Sequence, residues 1–309
     1  MISVLIPIYN YDVTHFVETL YQQGKASGIN FEIILMDDAS SDSFRKINRQ
    51  WQMKPEISYI QLEQNVGRAK IRNLLAEKAQ YDFLLFQDCD AEIASPSYFE
   101  NYLTQCQGNK VVCGGTIYKE ETPKDTSLML RWKYGKEREE KSAEKRQQQP
   151  NAAFTTNNFL IPKKIFNTIK FHESLIKYGH EDTLFGYELS QQNIIIHHIN
   201  NPLIHVGLES AAVFLQKTEE GIKNLIQIIQ TKKPEKKFYQ DVKLLSYFLI
   251  IKTYRLNWLF NLLYQLFYQK IHKHLKNNTN PSIKYFDLYK ILLLNYYSTY
   301  PQKNVNKTI

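Results

Sequence analysis

Residues 81–92 read Tyr-Asp-Phe-Leu-Leu-Phe-Gln-Asp-Cys-Asp-Ala-Glu, and this stretch decides the fold. Its apolar run, Phe83 to Phe86, is too short for a typical helix and predicts a buried strand. The run ends in two carboxylates, Asp88 and Asp90, with one residue between them. Carboxylates this close repel each other unless a cation or strong hydrogen-bond donors lie between them. Because a lone pair of this kind is more often a solvated acidic turn, its meaning depends on the surrounding chain.

Strands and helices alternate around this stretch. The apolar run at residues 2–8 is typical of a strand that is covered on both faces, and residues 31–36 and 57–62 predict a second and a third strand. Helical spacing follows at residues 11–26 and again at 65–79. This alternation predicts a single, mostly parallel α/β sheet flanked by helices over the first part of the chain.

Polar residues follow each predicted strand at the point where the strand ends. They are Tyr9 and Asn10 after the first strand, Asp37 and Asp38 after the second, and Asn65 to Arg68 after the third. Because the carboxyl ends of parallel strands lie along one edge, these residues are expected to meet in one crevice with Asp88 and Asp90. A dinucleotide fold would carry G-x-G-x-x-G after its first strand. That position has no glycine, which disfavours NAD and FAD but leaves another nucleotide open.

The chain between residues 111 and 161 departs from this alternation. Residues 111–118 predict one further strand, and the glycines inside it, Gly114 and Gly115, indicate a bulge or a close approach by a ligand or backbone. Residues 119–150 are charged, with one helical piece around 128–139, and predict a mobile flap over the site or a plain solvated insertion. Residues 155–161 are expected to return to the sheet.

A second acidic cluster, Glu181-Asp182, stands where a further helix would begin. Acidic residues in a first helical turn are ordinary partners of the helix dipole, so the cluster alone does not indicate a site. His205 lies between apolar neighbours, an environment that is typical of a core histidine as much as of a ligand.

Composition limits the remaining possibilities. The three cysteines show no C-x-x-C spacing, so neither a zinc site nor a disulfide framework is indicated, and a reducing, cytoplasmic location fits. The first residues, Met1-Ile-Ser-Val-Leu-Ile-Pro7, lack a basic segment and predict a strand, not a signal peptide.

The net charge of +8 is unevenly distributed. From Lys217 to the end there are 16 Lys or Arg and five Asp or Glu, which gives +11 for this part of the chain. This part has helical spacing and no uncharged apolar run of about 18 residues, so a spanning helix is not expected. The sequence predicts an α/β domain at 1–215, which the resemblance described below makes the catalytic domain, and a basic, aromatic-rich helical region at 216–309. The helical region could lie on a membrane surface, form a homodimer contact or pack on the catalytic domain.

Taken together, the motifs resemble those of the family 2 inverting glycosyltransferases, which share a nucleotide-sugar-binding α/β fold. The resemblance covers about residues 1–209. It rests on Ile6-Pro-Ile-Tyr-Asn10, Asp37-Asp-Ala-Ser-Ser-Asp42, Asn65-Val-Gly-Arg-Ala-Lys-Ile-Arg-Asn73, Asp88-Cys-Asp90, Gly114-Gly115, Glu181-Asp182 and Ile204-His-Val206. Ala39 stands where the family often has glycine, and Cys89 is an unusual middle residue, but neither replaces a charged group that the chemistry needs.

The resemblance implies a role for each matching residue. Donor binding would fall on Pro7, Tyr9, Asp38, Asn65, Arg68, Asp88 and Gly115. Asp90, His205 and Asp88 would hold Mn²⁺ or Mg²⁺, since oxygen ligands favour hard ions and an imidazole favours Mn²⁺. Asp182 would be the general base, and Glu181 would contact the acceptor or orient the base.

The expected partners are a nucleotide-sugar, with a UDP-sugar first, and a glycan or lipid-linked acceptor in surface polysaccharide synthesis. The enzyme would be cytoplasmic, with a peripheral place at the membrane as a further possibility. A nucleotidyltransferase is one alternative, although it would want a glycine-rich basic loop after the first strand. A catalytically silent nucleotide-sugar binder is another. Nucleic acid is not an expected partner, because the basic tail carries bulky apolar residues at helical spacing.

Overall fold

The structure, a computed structural model, describes residues 1–175 and 178–300. Its described residues form two compact units. The sheet unit takes those within 1–120, 135–176 and 181–207, and the helical unit takes those within 121–134, 177–180 and 208–309. The division after residue 207 differs from the boundary expected after residue 215, and residues 121–134 belong to the helical unit.

Ten strands are found in the part of the chain that is described. They are β1 Ile2–Ile8, β2 Phe31–Asp37, β3 Ile57–Gln61, β4 Phe83–Gln87, β5 Ala91–Ile93, β6 Val111–Cys113, β7 Thr116–Ile117, β8 Asn158–Pro162, β9 Ile196–His198 and β10 Leu203–His205. Seven form the main sheet in the order β3-β2-β1-β4-β8-β6-β9. Only β8 runs antiparallel to its neighbours β4 and β6. The predicted mostly parallel sheet is confirmed, and so is the helical region that follows it.

The α-helices are α1 Thr14–Ala26, α2 Asp42–Asn48, α3 Arg68–Lys78, α4 Tyr98–Leu103, α5 Met129–Tyr134, α6 Ala143–Gln147, α7 Lys163–Ile169, α8 Glu181–Gln191, α9 Ala211–Thr231, α10 Lys236–Asp241, α11 Lys243–Thr253, α12 Asn257–Asn277 and α13 Ile283–Thr299. Short 3₁₀ turns lie at Arg49–Met53 and Thr126–Leu128, and a π-helical turn lies at Gly135–Glu139.

The main sheet is covered on both faces, as its continuous apolar strands predict. Successive residues of β1 point to opposite faces, so Val4 and Ile6 join one core and Leu5 the other. The first core contains apolar residues of α1 and α4, such as Phe16 and Phe99. The second contains residues of α3, α7 and α8. Because both faces of the sheet are covered by apolar side chains, polar residues are found at its edges.

The single strand predicted over residues 111–118 is wrong. It is divided by Gly114 and Gly115 into β6, which belongs to the main sheet, and β7, which joins β5 and β10 in a second, three-stranded sheet. Gly115 has φ +90°, and a Cβ there would lie 2.5 Å from Nη2 of Arg146. A Cβ at Gly114 would collide with the Tyr102 hydroxyl. The glycines therefore permit a close packing of backbone against side chains of the sheet unit itself.

Part of the segment at 119–150 is attached to the sheet unit by Arg146. This buried guanidinium donates to the carbonyl oxygens of Cys113, Gly114 and Ile199 at 3.1, 3.0 and 2.8 Å. Its Nη1 also lies 2.6 Å from Nδ1 of His198. Burial lowers the pKa of His198 to about 4, so this imidazole is neutral and can accept from the arginine. The helical piece expected around 128–139 is α5 followed by the π-helical turn, and the mobility of the segment stays a prediction.

In the helical unit, α9 packs against α5, α12 and α13, and α12 pairs with α13. The helical spacing predicted from Lys217 onward is divided among several helices, and α11 and α12 are separate. Between them Arg255 has φ +55°, a left-handed conformation that ends α11. Among the described residues, no helix is both long and apolar enough to cross a membrane.

Candidate active site

The start of α3 is fixed by Asp38, at the carboxyl end of β2. Its Oδ1 accepts from the backbone N–H of Val66 at 2.7 Å, and its Oδ2 accepts from that of Gly67 at 3.1 Å. The Asn65 amide donates to the Asp38 carbonyl oxygen at 3.2 Å. Burial raises the pKa of Asp38, although the two backbone donors oppose that shift. Asp38 thus holds the loop that delivers Arg68, the first residue of α3, to the edge of the sheet.

Arg68 and Arg72 connect two acidic residues that are far apart in the sequence. Arg68 Nε donates to Glu181 Oε1 at 2.8 Å, and its Nη2 donates to Asp88 Oδ2 at 3.2 Å. Arg72 Nη2 donates to Asp88 Oδ1 at 2.6 Å. The arginines are four residues apart and share one face of α3. We call Arg68, Arg72, Asp88 and Glu181 the charge network.

The arginines keep both carboxylates of the charge network ionised. Burial alone would raise the pKa of Asp88, but the positive charges of Arg72 and Arg68 bring it below its usual value. The pKa of Glu181 is lowered in the same way, with Arg68 and Arg72 outweighing burial. Two cations therefore balance two anions. Arg72 is 1% exposed, whereas the side chain of Arg68 is 37% exposed and can reach a ligand.

Asp182 has the opposite electrostatic environment. It lies in the first turn of α8, where its Oδ1 accepts from the Thr183 N–H at 2.7 Å. Burial and then the negative charge of Glu181 raise its pKa to about 6. A carboxylate with a pKa near the working pH is suited to accept a proton. The two adjacent acids thus differ: Glu181 is held ionised, and Asp182 titrates near neutrality.

Asp90 and His205 lie together because β10 pairs antiparallel with β5, directly after Asp90. The backbone N–H groups of Val206 and Gly207 donate to the Asp90 carbonyl oxygen at 3.0 and 3.3 Å. His205 Nδ1 lies 3.7 Å from Asp90 Oδ1. A Cβ at Gly207 would collide with the Asp90 side chain, so glycine is required for this close approach.

These two side chains fit a divalent cation. Within residues 1–175 and 178–300, His205 Nε2 is a buried nitrogen with no hydrogen-bond partner. A carboxylate and an imidazole together suit Mn²⁺, and Mg²⁺ less well. The expected set of three, however, is not assembled: no group of three or more His, Cys, Asp or Glu side chains in the described chain could hold a metal ion. Asp88 is instead engaged by the two arginines.

The remaining predicted residues lie at or near the same edge. Pro7 pairs with Met36 in the parallel register of β1 and β2, which brings Tyr9, 54% exposed, beside Asp38. A Cβ at Gly115 would collide with the Arg146 guanidinium, and its place in donor binding stays a prediction. Sequence reasoning gave no role to Arg72. Its one signal was the second arginine four residues after Arg68, on the same helical face.

A family model described as Glycosyl transferase family 2 matches residues 3–170, more than half of the chain. The chain belongs to this family, as its motifs predicted.

Two curated relatives match in sequence. An uncharacterized glycosyltransferase of Haemophilus influenzae is 32% identical over 126 residues, which are 37% of this chain and 48% of that protein. The poly(ribitol-phosphate) β-N-acetylglucosaminyltransferase TarS of Staphylococcus aureus is 33% identical over 91 residues, which are 28% of this chain and 16% of TarS. The chain thus spans about half or less of the length of these relatives.

Two solved structures share the fold. The mannosyltransferase PcManGT of Pyrobaculum calidifontis, in complex with GDP-Man and Mn²⁺, has a TM-score of 0.61 at 12% identity, covering 98% of this chain and 88% of that one. S. aureus TarS has a TM-score of 0.52 at 18% identity, covering 96% of this chain and 55% of that one. At these identities the likeness concerns the fold alone.

Proposed function

We propose that this protein transfers a sugar from a nucleotide-sugar to an acceptor hydroxyl in a single displacement that inverts the anomeric carbon. The observation that carries the proposal is the contrast between adjacent acids. Glu181 is held ionised by Arg68, while Asp182 has a pKa raised to about 6. A proton acceptor therefore stands next to a cation that can bind a diphosphate, as such a displacement requires.

We assign the donor to the edge that carries Asp38, Asn65 and Arg68. The exposed guanidinium of Arg68 would meet the diphosphate, while Arg72 stays buried on Asp88. Tyr9 and Pro7, at the end of β1, would border the nucleoside. A UDP-sugar is the donor we propose, and the relative TarS is named as an N-acetylglucosaminyltransferase.

Asp182 would take the proton of the acceptor hydroxyl as that oxygen attacks the anomeric carbon. The nucleoside diphosphate would leave from the opposite face of the sugar. Glu181 Oε2 is buried and has no hydrogen-bond partner in the described part of the chain, so it can accept from the acceptor. General-base catalysis contributes roughly a hundred- to ten-thousand-fold in rate.

Asp90 and His205 are the residues we propose to hold Mn²⁺ or Mg²⁺. When bound, such an ion supplies charge stabilisation for the leaving diphosphate. The 3.7 Å separation of His205 Nδ1 from Asp90 Oδ1 supports this assignment. Asp88 is better explained as the anchor of the two arginines.

For the acceptor we propose a glycan or a lipid-linked glycan in surface polysaccharide synthesis. We place the reaction in the cytoplasm. Other curated relatives are named for such polymers, including the putative teichuronic acid biosynthesis glycosyltransferase TuaG of Bacillus subtilis. A chondroitin synthase of Escherichia coli is 25% identical over 223 residues, which are 62% of this chain and 32% of that protein.

The test is a panel of UDP-, GDP- and dTDP-sugars with Mn²⁺, in which release of nucleoside diphosphate is measured with and without candidate acceptors. We expect turnover of one donor. In Asp182→Asn, transfer should fall by about a hundredfold or more, while calorimetric binding of the same donor stays close to wild type. Asp82→Asn is the matched control. Asp82 is an exposed aspartate just before β4, at the end of that strand away from Asp88 and the site. If no donor in the panel releases nucleoside diphosphate, the proposed transferase activity is contradicted. If a folded Asp182→Asn loses donor binding, the role of Asp182 as the general base is contradicted.

A further inference from the structure

The helical unit carries an exposed apolar row along α11 and α12. Tyr247 and Ile250 on α11, and Trp258, Leu262 and Leu266 on α12, recur every three or four residues within their helices, the spacing of one helical face, and Tyr254 lies in the turn between the helices. These six residues are between 44% and 71% exposed. We call them the α11–α12 stripe. Exposed apolar surface of this kind commonly marks an interaction site.

The stripe is not needed to hold these helices in their unit. The buried side chains of α11 are Leu245, Phe248 and Ile251. On α12 the buried positions include Ile271 and Leu275. The helices thus pack through one set of residues and expose another, so the stripe can be changed without opening the core.

The segment of the sequence that carries the stripe has charges of one sign. Residues 242–286 contain no Asp or Glu. Over the same 45 residues there are seven cations, which are Lys243, Lys252, Arg255, Lys270, Lys273, Lys276 and Lys284. Lys252, Arg255, Lys270 and Lys273 are all exposed. Lys270 follows Leu266 by four residues, so the apolar row of α12 continues into a basic one.

We propose that the α11–α12 stripe and its flanking cations dock this protein onto an anionic lipid surface. Apolar side chains that enter the boundary between headgroups and acyl chains, with Lys and Arg beside them, are the features of interfacial helices. Tyr247, Tyr254 and Trp258 have the ring chemistry that favours that boundary. This contact is peripheral, in keeping with described helices that are too short or too polar to span a bilayer.

The same charges argue against the other occupants. In an isologous dimer the same patch meets itself. The cations beside the stripe would then face their own copies, with no acidic residue within 242–286 to pair with. The phosphates of a nucleic acid would pair with the cations. The six apolar side chains of the stripe would then face the same phosphates and gain no apolar contact. An anionic bilayer satisfies both halves of the surface, because it offers charged headgroups and an apolar interior together.

Sedimentation of the full chain with vesicles tests the proposal. We compare vesicles of phosphatidylcholine alone with vesicles that also contain phosphatidylglycerol. Binding should require the anionic lipid and weaken as salt is added, because the headgroup attraction is screened. Emission from Trp258, obtained by subtracting the spectrum of Trp258→Phe, should shift to shorter wavelength on binding.

Two variants separate the apolar and the charged contributions. In Trp258→Gln/Leu262→Gln/Leu266→Gln the cations remain, and we expect vesicle binding to fall by about tenfold or more. In Lys243→Gln/Lys270→Gln/Lys273→Gln the stripe remains. The expected loss is roughly a hundredfold, or about fivefold for each cation at an anionic surface. The matched control is Lys78→Gln/Lys110→Gln/Lys164→Gln, which removes three exposed lysines from the sheet unit and should bind like wild type.

Other outcomes would overturn the proposal. Equal loss in the lysine control would mean that net charge alone drives binding. Absence of binding to anionic vesicles, together with a dimer that the stripe variant dissociates, would assign the surface to a second copy. Release of the protein from anionic vesicles by single-stranded RNA would assign it to nucleic acid. Donor turnover without vesicles should be unchanged in all three variants, which checks that each one folds.

Discussion

Asp88 and Asp182 are two carboxylates of one site, and their surroundings move their pKa values in opposite directions. Asp88, at the end of β4, accepts from Arg72 and Arg68, and its pKa is lowered. Asp182 is at the start of α8, where burial and then the negative charge of Glu181 raise its pKa to about 6. Burial by itself raises the pKa of both carboxyl groups. The position of the arginines therefore decides which acid anchors charge and which can exchange a proton.

The two arginines of α3 differ in a parallel way. Arg72 is buried and pairs with Asp88, whereas Arg68 is partly exposed and bridges Asp88 to Glu181. A buried cation that satisfies a carboxylate supports the fold, because removing it leaves an unpaired charge inside the protein. A partly exposed cation can exchange its partner for a ligand. We therefore expect different losses when each is removed.

The largest effect is expected from Arg72→Met, which leaves Asp88 with one arginine. Breaking a buried ion pair costs roughly 3–5 kcal/mol, so the free energy of unfolding in denaturant should fall by about that amount. Arg68→Met is the matched comparison. It should cost about 1 kcal/mol of stability, yet weaken donor binding in calorimetry. Equal stability losses in the two variants would contradict the division of roles.

This division could not be predicted from the sequence, although its setting could. The strands were predictable because residues covered on both faces form continuous apolar runs, as at 2–8 and 83–86. The rule that strand ends share an edge then brought Asp38, Arg68 and Asp88 together. The partner of Arg68 on α8, Glu181, lies 113 residues further along the chain. Only the closed fold shows which carboxylate each arginine meets.

Backbone geometry set a second limit on prediction. The division of residues 111–118 into two strands depends on Gly115 packing against Arg146, 31 positions away in the sequence. The end of α11 depends on Arg255 in a left-handed conformation, which an arginine rarely adopts. The glycines indicated a bulge or a close approach in the first case, but not a change of sheet. Arginine gave no signal of the second break.

A smaller effect is expected on the free energy of unfolding, because the raised pKa of Asp182 makes its ionised form costly in the folded state. Its pKa rises from the usual 3.8 to about 6, so the folded state binds this proton more tightly than the unfolded chain does. That contribution to stability is complete below about pH 4 and is lost as the pH rises through 6. At pH 8 the free energy of unfolding of Asp182→Asn should therefore exceed that of wild type by roughly 1–3 kcal/mol. The variant should then also unfold at a higher temperature.

At pH 4 the advantage of Asp182→Asn should vanish, since the wild-type carboxyl is then protonated as well. Thermal unfolding at the two pH values measures this directly. Asp82→Asn, which changes an exposed aspartate, serves as the control and should show no such dependence. A constant difference between Asp182→Asn and wild type across this range would contradict the raised pKa.

The smallest expected effect, and the most direct test of the contrast between Asp88 and Asp182, is a shift in a pH profile. As a base, Asp182 must be ionised, so kcat/KM should fall as the pH drops below about 6. Glu181→Gln removes the negative charge that contributes to the raised pKa of Asp182. It also frees Arg68 from its carboxylate partner on α8, which strengthens the lowering effect of that cation. The acid limb should move to lower pH, while the plateau rate falls because Glu181 Oε2 no longer meets the acceptor as a charged group.

Glu188→Gln is a suitable control for Glu181→Gln, because it removes an acid of the same helix that pairs with His172 instead. It should leave the acid limb in place. The position of the limb separates electrostatics from simple loss of function, since a variant that is only damaged loses rate at every pH equally. An unchanged limb in an active Glu181→Gln would mean that burial alone sets the pKa of Asp182. In that case the adjacent acids would act independently, and the arginines would not decide their roles.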